Sequence, residues 1–594
     1  MAAIAQEFPG YRMKIAIWRR CGVTGLVIDR SAERLIMVNA VTAVLFLAFG
    51  GTMALTIALT RWRAVHLLPA DWFYRLVGAH GLTMLIFWIL FFEVAALIFG
   101  STVMINAPMV APTLAWVYYS MMLGGALLVE TTALSGHATV MMTAYPPLKA
   151  TSWFYLGLLI FAVGALLALF HFIINVTVAR VRGQVQTLPL LTFALLAAAI
   201  IGIWTLASGA AAIFPAWLWA IGAKSSVDPG VYRLLFWGFG HGAQQINLAA
   251  MIGIWYALAT LTTGAKPLNE GLSRFAFLLY IVFINMGSIH HILVDPGLGG
   301  WLRGVNTSYF VYAAVLGSMI HAFTIPASVE VALREKGYGR GLFGWLKRAP
   351  WGEPGFSVLV LSFWLFGVMG GISGVIMGSV QVNMIQHNTL ISPAHFHMTV
   401  VAGTTLAFMG FTYYLVPLIF QREHILPRWA RIQPYIFALG MTIFGLGMGF
   451  AGHQGVPRRD WDPTFPGAPL ATDIFKTTTV NISLACLGIG AIIAVIGGTM
   501  FVINTAGTVF FGKRSAQPNI GKISPLAFAT SATTVPIVAG GTGEGEREHT
   551  KHTMQTGGFE APGTLVLAFA WLLLFVILYA YSWFELSSVS WSIK

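Results

Sequence analysis

Residues 392–400 read SPAHFHMTV and place two histidines two positions apart in an otherwise apolar segment. On an α-helix, such residues point about 200° away from each other, so His395 and His397 face opposite sides. A histidine in an apolar helix loses its hydration unless something binds it, which makes it a candidate for function. The spacing therefore predicts one helix that carries a metal centre on each side.

The two sides of this helix predict two different hemes. A low-spin heme needs two axial imidazoles, and His80, in another apolar segment, is the predicted partner of His397. His395 has no such partner, so it is predicted to be the single axial ligand of a high-spin heme. A five-coordinate iron keeps one position open for a small gas molecule.

Three further histidines predict a separate metal centre: His241 and the adjacent pair His290 and His291. The segment around His241 contains no aspartate or glutamate. Three imidazoles without a carboxylate favour copper over non-heme iron, so one copper is predicted. Gln245 lies one turn from His241 on the same helix face and is predicted to shape the pocket.

The composition predicts an all-α integral membrane protein. The chain is 57% hydrophobic and only 9% charged, and apolar runs of about 20 residues predict about 13 transmembrane helices. A secondary transporter would also contain many spans, but it does not need adjacent histidines and a His-x-His across two faces. The predicted helix centres lie near Leu47, Phe87, Met122, Val163, Ala197, Ile246, Tyr280, Leu316, Trp364, Leu406, Phe444, Gly490 and Leu573.

Charge places the predicted segments relative to the membrane. The net charge of +13 is concentrated in alternate loops, which indicates topology and not nucleic-acid binding. We expect a basic cytoplasmic arm (1–38), a twelve-helix core (39–512), a flexible cytoplasmic loop (513–558) and a thirteenth helix with an outer C-terminus (559–594). The expected location is a bacterial or archaeal cytoplasmic membrane.

Only two cysteines occur, Cys21 and Cys486, and no CxxCH motif is present. The hemes are therefore predicted to be held without covalent links, and no cysteine pair suits a dinuclear copper site. Electrons are expected to arrive from a second subunit, which carries a dinuclear copper or a cytochrome c domain, or from a quinol. The other expected partners are membrane lipids and a small gas substrate.

The histidines lie within specific fragments: FWGFGHGAQQ (236–245), MGSIHHILVDPG (286–297) and HNTLISPAHFH (387–397), with AYPPLK (144–149) and GVPRRDW (455–461). With these, the chain resembles the catalytic subunit I of the heme–copper oxidase superfamily, in particular its cytochrome ba-type B branch. The resemblance covers nearly the whole chain after the arm. It implies the ligands named above, a low-spin heme of b type and a high-spin heme of b, o or a type. The residues implied to organise heme propionates are Arg458, Arg459, His387, Asn388 and Asp295.

One departure from the family pattern bears on the substrate. Oxygen-reducing members carry a tyrosine four residues after the first metal histidine, which supplies an electron and a proton; here that position is Gln245. The family's other tyrosine location is Ile284, and Tyr280 lies one turn away. Reduction of nitric oxide to nitrous oxide needs no such tyrosine. The sequence therefore predicts a nitric oxide reductase of this respiratory family; the alternative is a terminal oxidase that reduces dioxygen to water.

A proton path is the last expectation. The residues that resemble pieces of the branch's proton channel are Tyr256, Ser318, Thr324, Ser328 and Glu330. His321 stands where the channel usually has a threonine, and Ile252 replaces a tyrosine, so the path is expected to be interrupted. Glu93 and Glu130 are intramembrane carboxylates, for which hydrogen bonding to a neighbouring helix and proton transfer both remain open.

Overall fold

The computed structural model describes residues 18–462, 477–519 and 560–588. The first part of the predicted basic arm and nearly all of the predicted loop 513–558 lie outside these residues. Within the remainder of the arm, β1 (Trp18–Arg20) pairs with β2 (Val27–Asp29) in an antiparallel hairpin. Helix α1 begins directly after it at Arg30, earlier than the expected boundary at 39, because the Asp29 side chain accepts the Ser31 N–H at 2.7 Å and caps the first turn.

Twelve helices among the described residues are long and apolar enough to cross a membrane, which confirms an integral membrane bundle of about the predicted size. A shorter helix, α7 (Glu270–Leu279), ends at the remaining predicted centre near Tyr280. Two helices shorter still connect the spans, at Gly344–Lys347 and Val380–Gln386. The long helices are α1 (Arg30–Arg61), α2 (Ala70–Val103), α3 (Pro112–Leu134), α4 (Ser152–Val181), α5 (Leu190–Ala220), α6 (Pro229–Thr263), α8 (Gly300–Tyr338), α9 (Pro354–Met377), α10 (Ile391–Phe420), α11 (Pro427–His453), α12 (Thr478–Phe511) and α13 (Pro562–Ser588).

Helix α7 is followed by turns of two other helix types. It is α-helical from Glu270 to Leu279, widens to a π-helix at Tyr280–Ile284 and ends in a 3₁₀ turn at Gly287–His291. A 3₁₀ turn has three residues per turn and places consecutive side chains about 120° apart. The predicted span is therefore present as a segmented helix, and its final turn carries the two adjacent histidines.

Wide π-helical turns lie near the candidate ligands other than His241, whose helix is α-helical throughout. A π-turn accommodates one extra residue in the hydrogen-bond ladder and is frequent at functional sites. The hydropathy pattern did not reveal these turns because the helices concerned are apolar on most sides. They are Thr83–Phe87 after His80, Tyr280–Ile284 before the histidine pair, Leu365–Gly371 in α9, and His397–Thr405 in α10.

Small residues bring α11 and α12 into close contact. A Cβ atom added at Gly440 would collide with the backbone of Ala494, and one added at Gly490 would collide with the backbone of Phe444. In a membrane, the hydrophobic effect does not drive helices together. Close approach at small residues instead supplies the van der Waals packing that holds them. This pair supports the side of the bundle against which His397 lies, since the His397 and Phe444 rings are 5.1 Å apart.

Glu330 of α8 holds the start of α13. Its carboxylate accepts the N–H groups of Gly563 at 3.0 Å and Thr564 at 2.6 Å, and the Arg334 Nε donates to it at 2.7 Å. The side chain is completely buried. This carboxylate, expected in a proton path, is thus fully engaged in docking a helix that otherwise has little buried surface.

We expect Glu330→Gln to destabilise the docked α13. The amide retains one acceptor oxygen but places an NH₂ group against N–H donors, and each hydrogen bond to a charged group contributes about 1.5–3 kcal/mol. The melting temperature of the purified protein should fall by several degrees. Glu335→Gln, at an exposed position near the same end of α8, is the control and should leave it unchanged. Equal melting temperatures for the two variants would contradict this docking role.

Candidate heme and metal site

The structure brings His241, His290 and His291 together. Their ligand atoms all lie within 4.8 Å of one another, and His241 Nδ1 is 3.2 Å from His291 Nε2. Nitrogens that share one metal ion are each about 2.0–2.1 Å from it, and so lie about 3–4 Å apart. The residues therefore fit a single metal ion, and we call them the three-histidine cluster.

The three predicted heme ligands share one orientation. The Nδ1 atoms of His80, His395 and His397 lie 3.1, 2.9 and 2.6 Å from backbone carbonyl oxygens. A carbonyl can only accept, so each Nδ1 carries the proton and each Nε2 keeps its lone pair. Such a bond to the second nitrogen is the usual way in which a protein fixes a metal-binding imidazole. All three side chains fit a metal-ligand role.

His80 and His397 face each other across a narrow gap. Their ring centres are 6.5 Å apart and their planes differ by 13°. Two nitrogens that bind one iron from opposite sides lie about 4 Å apart, and the ring centres stand further back. The separation therefore fits a bis-imidazole heme iron between α2 and α10.

His395 points to the other side of α10. A cavity of about 1000 Å³ is lined by His395, the three-histidine cluster and Gln245, whereas neither His80 nor His397 contributes to its wall. A Cβ atom on Gly374 would lie 2.6 Å from His395 Cε1, so only glycine leaves this flank of the imidazole free. The predicted division into two faces is present, and the cavity suits a flat macrocycle opposite the cluster.

Two half-buried arginines and a half-buried histidine form part of the wall of this cavity. Arg458, Arg459 and His387 line it, and Arg458 Nε finds no hydrogen-bond partner among the described residues. Burial and, next, the charge of Arg459 lower the pKa of Arg458 to about 10. Burial and then Arg458 lower the pKa of His387 to about 4. An anionic group such as a carboxylate of a bound ligand would relieve both effects.

Two of the residues predicted to organise heme propionates have other contacts. Asp295 forms a bidentate ion pair with Arg233, with distances of 2.5 and 2.6 Å. Sequence reasoning missed Arg233, whose partner is far away in the chain. Asn388 has an exposed side chain, and its backbone carbonyl accepts the N–H of Arg458 at 3.0 Å. Asn388 therefore positions an arginine through its backbone.

An aromatic pair connects the cluster to a tyrosine. The Trp237 ring stacks on His291 with 4.2 Å between centres and 2° between planes. Its Nε1 donates to the Tyr145 hydroxyl at 2.6 Å. Burial raises the pKa of Tyr145, and Arg233, whose guanidinium lies 4.3 Å from the ring centre, opposes that rise. The sequence offered Tyr145 only as part of the AYPPLK fragment; its connection to the three-histidine cluster through Trp237 is a finding of the structure.

Gln245 stands beside the cluster as expected. Its Nε2 is 3.5 Å from His241 Nε2, and its Oε1 has no partner among the described residues. Tyr280 is turned away: its hydroxyl bonds Ser318 at 2.9 Å, and it is absent from the cavity wall. The side chain of Ile284 lies outside the part of the chain that the structure describes. Tyr280 therefore does not substitute for the family's tyrosine.

The polar residues of the expected proton path are only partly connected. Thr324 and Ser328 donate to carbonyl oxygens one turn earlier in α8. Tyr256 instead bonds Ser273 at 2.9 Å and His321 at 3.0 Å. His321 was expected to interrupt the path, but the structure places it in a hydrogen-bonded row. Sequence reasoning also missed Ser273.

The two intramembrane carboxylates differ from each other. Glu130 accepts a hydrogen bond from Thr83 at 2.6 Å, the helix-to-helix contact that was one of the two interpretations. Glu93 is buried, and neither of its oxygens has a partner among the described residues.

Comparisons with known proteins agree with this geometry. Residues 34–484 match the family model described as cytochrome c and quinol oxidase polypeptide I. Cytochrome c oxidase subunit 1 of Thermus thermophilus is 31% identical over 360 residues, which cover 60% of this chain and 63% of that protein. The chain thus aligns with less than two thirds of this relative. Cytochrome c oxidase subunit 1 of Synechocystis is 23% identical over 496 residues, covering 80% of this chain and 83% of the relative.

The fold has a solved counterpart. A cryo-EM structure of a heme–copper terminal oxidase dimer matches with a TM-score of 0.77 at 23% identity, covering 94% of this chain and 92% of that one. These relatives carry oxidase names, which favours the oxidase alternative over the predicted nitric oxide reductase. The family match covers most of the chain and contains the histidines described above. The chain belongs to the cytochrome c and quinol oxidase polypeptide I family, the subunit I of heme–copper oxidases.

Proposed function

We propose that this chain is the catalytic subunit of a respiratory terminal oxidase that reduces dioxygen to water. The observation that carries the proposal is the three-histidine cluster opposite His395 in one cavity. When bound, two hemes and a copper would supply electron transfer and the open coordination position for the gas. The specific ligands, the copper identity and the heme types are part of this proposal.

The protein's own residues prepare the site for that chemistry. Carbonyl oxygens hold the three heme-facing imidazoles in one tautomer, and Arg458 and Arg459 offer charge-assisted hydrogen bonds to propionates. The family's tyrosine is replaced by Gln245, but Tyr145 reaches the cluster through Trp237. We propose that this pair holds the phenol proton and the oxidisable ring that dioxygen cleavage requires.

Nitric oxide reduction is the second candidate, and Gln245 is the observation that favours it. Coupling of two nitric oxide molecules takes two electrons and two protons and gives nitrous oxide and water, so it requires no phenol. The Gln245 amide, 3.5 Å from His241, can hydrogen-bond a small polar gas in the cavity.

Gas consumption decides between these candidates. The purified, reduced complex should consume dioxygen, and Trp237→Phe, which deletes the bond to Tyr145, should slow that uptake by about 100-fold. Trp219→Phe, at a position where the indole contacts the Lys149 ammonium outside the cavity, is the matched control. Fast nitric oxide loss with nitrous oxide formation and little oxygen uptake would establish the second candidate. Gln245→Leu should then reduce that rate while Trp237→Phe leaves it intact.

The electrons that reach this chain are proposed to come from a separate donor. We propose a second subunit with a dinuclear copper or a cytochrome c domain, or a quinol, because the cysteines Cys21 and Cys486 are both free and lie on different elements. We also propose that the arm before α1 faces the cytoplasm and the end of α13 faces outward, in a bacterial or archaeal cytoplasmic membrane. Comparison of reduced cytochrome c with a quinol as donor tests the first point.

A further inference from the structure

We infer that His321 is a proton carrier that delivers protons from the α6–α7 end of the bundle into the gas-binding cavity. A buried histidine more often serves packing alone. Here, however, one ring nitrogen is bonded to a polar row, the other has no partner among the described residues, and the residue lines the gas-binding cavity.

The row begins near the end of the bundle at which α7 starts. Ser273 lies one turn into α7, and its hydroxyl donates to the Asn269 carbonyl at 3.0 Å. The Tyr256 hydroxyl of α6 is 2.9 Å from the Ser273 oxygen and 3.0 Å from His321 Nδ1 of α8. Three helices thus contribute one continuous hydrogen-bonded row. By the predicted topology, this end faces the cytoplasm.

His321 also forms part of the cavity wall. His321 is 1% exposed, and its Nε2 is buried with no hydrogen-bond partner among the described residues. His321 lines the same cavity as Gln245 and the three-histidine cluster. An unpaired ring nitrogen in a buried wall costs free energy, which cavity water or a proton acceptor would recover. The Phe277 ring packs against the imidazole, with 4.5 Å between the ring centres.

The transfer balances without any further reactant. In the form of the row that delivers a proton, the Ser273 hydroxyl turns from the Asn269 carbonyl to Tyr256, Tyr256 donates to His321 Nδ1, and Nε2 carries the imidazole proton. The Nε2 proton leaves to an acceptor in the cavity while the Tyr256 hydroxyl proton moves to Nδ1. The Tyr256 oxygen then takes the Ser273 hydroxyl proton, and Ser273 is reprotonated from the end of the bundle at which α7 starts. Rotation of the ring turns the protonated Nδ1 away from Tyr256, and proton exchange between the two ring nitrogens through cavity water restores the Nε2–H form. Imidazole is suited to this because one of its nitrogens donates while the other accepts.

This inference rests on the proposed function only in needing a gas-reducing site that consumes protons. Dioxygen reduction and nitric oxide reduction both do so, and the row serves either. It also replaces the expectation that His321 interrupts the path. A residue that departs from the family's threonine continues the row, with a group that can both accept and release a proton.

The test measures proton uptake by the complete complex when its site is reduced in the absence of gas, with a pH-sensitive dye. We expect His321→Phe to slow uptake by about 100-fold, and Tyr256→Phe to slow it similarly. The double variant should be no slower than either single one, because both changes break the same row. Carbon monoxide binding and the heme spectra, which require no proton, should stay at parent values. His321→Gln provides a second variant if the phenylalanine is not accommodated.

The control is His171→Phe, a change of an equally buried histidine in α4 that bonds the Val110 carbonyl and lies outside the cavity wall. It should take up protons at the parent rate. Parent-like uptake in His321→Phe with intact carbon monoxide binding would overturn the inference. If the parent consumed neither gas, the proposed function would fall, and the uptake comparison would still decide the role of His321.

Discussion

His241→Ala is expected to abolish gas turnover while leaving the low-spin heme spectrum intact. His241 is the only contribution of α6 to the three-histidine cluster, and its Nδ1 lies 3.2 Å from His291 Nε2. Loss of a residue that merely supports a ligand costs 10- to 100-fold in metal affinity, so loss of the ligand itself should cost more than about 100-fold. Metal analysis should show the copper missing, and gas electrodes should show no consumption above background.

His171→Ala is the control for this experiment. His171→Ala removes a buried intramembrane imidazole that binds Tyr118 and Val110 instead of the cluster. It should retain copper, both hemes and activity. A His241→Ala protein that kept full copper content would show that the cluster does not bind the metal, whatever its activity.

His80→Ala should remove the low-spin heme and with it electron delivery to the gas site. The two rings that face each other at 6.5 Å leave space for one iron, and a single remaining imidazole cannot keep it six-coordinate. We expect the low-spin absorbance to vanish and donor-driven turnover to fall more than about 100-fold. Carbon monoxide binding at the high-spin site should persist, because His395 lies on the opposite side of α10.

His66→Ala is the control for this experiment. His66 lies at the same end of the bundle, and its Nδ1 bonds the Thr60 carbonyl at 2.9 Å, outside the ring pair. The low-spin heme spectrum of His66→Ala should match that of the parent protein. An unchanged low-spin signal in His80→Ala would mean that another residue partners His397.

The sequence grouped the candidate ligand histidines in the same way as the structure does, because the pattern that groups them is local. Two histidines two positions apart in an apolar helix specify opposite faces, and an adjacent pair specifies a shared site. The number of spans also followed from local hydropathy. Only α7 differed, because a predominantly apolar run gives no sign that its last turns are π-helical and 3₁₀.

The missed residues all depend on contacts between distant parts of the chain. Arg233 of α6 pairs with Asp295, which lies in the loop after α7. Arg61 donates to the Pro457 carbonyl at 2.6 Å and so holds the loop that carries the arginine pair. His321 continues a path only because Tyr256 of another helix bonds it. Such pairings are set by how the bundle packs, and a single sequence contains no local mark of them.

The π-helical turns beside the histidines have a consequence for anyone who edits this gene. Because a π-turn holds one extra residue, deletion of one codon within Thr83–Phe87 or His397–Thr405 would let the helix close to regular α geometry, and the helix beyond the deletion would keep its face. In the α-helical α6, each residue advances the chain by about 100°, so the same deletion would rotate everything beyond it by that angle. The π-helical turns are therefore the places at which these helices can lose one residue with the least change in the neighbours that their two halves face.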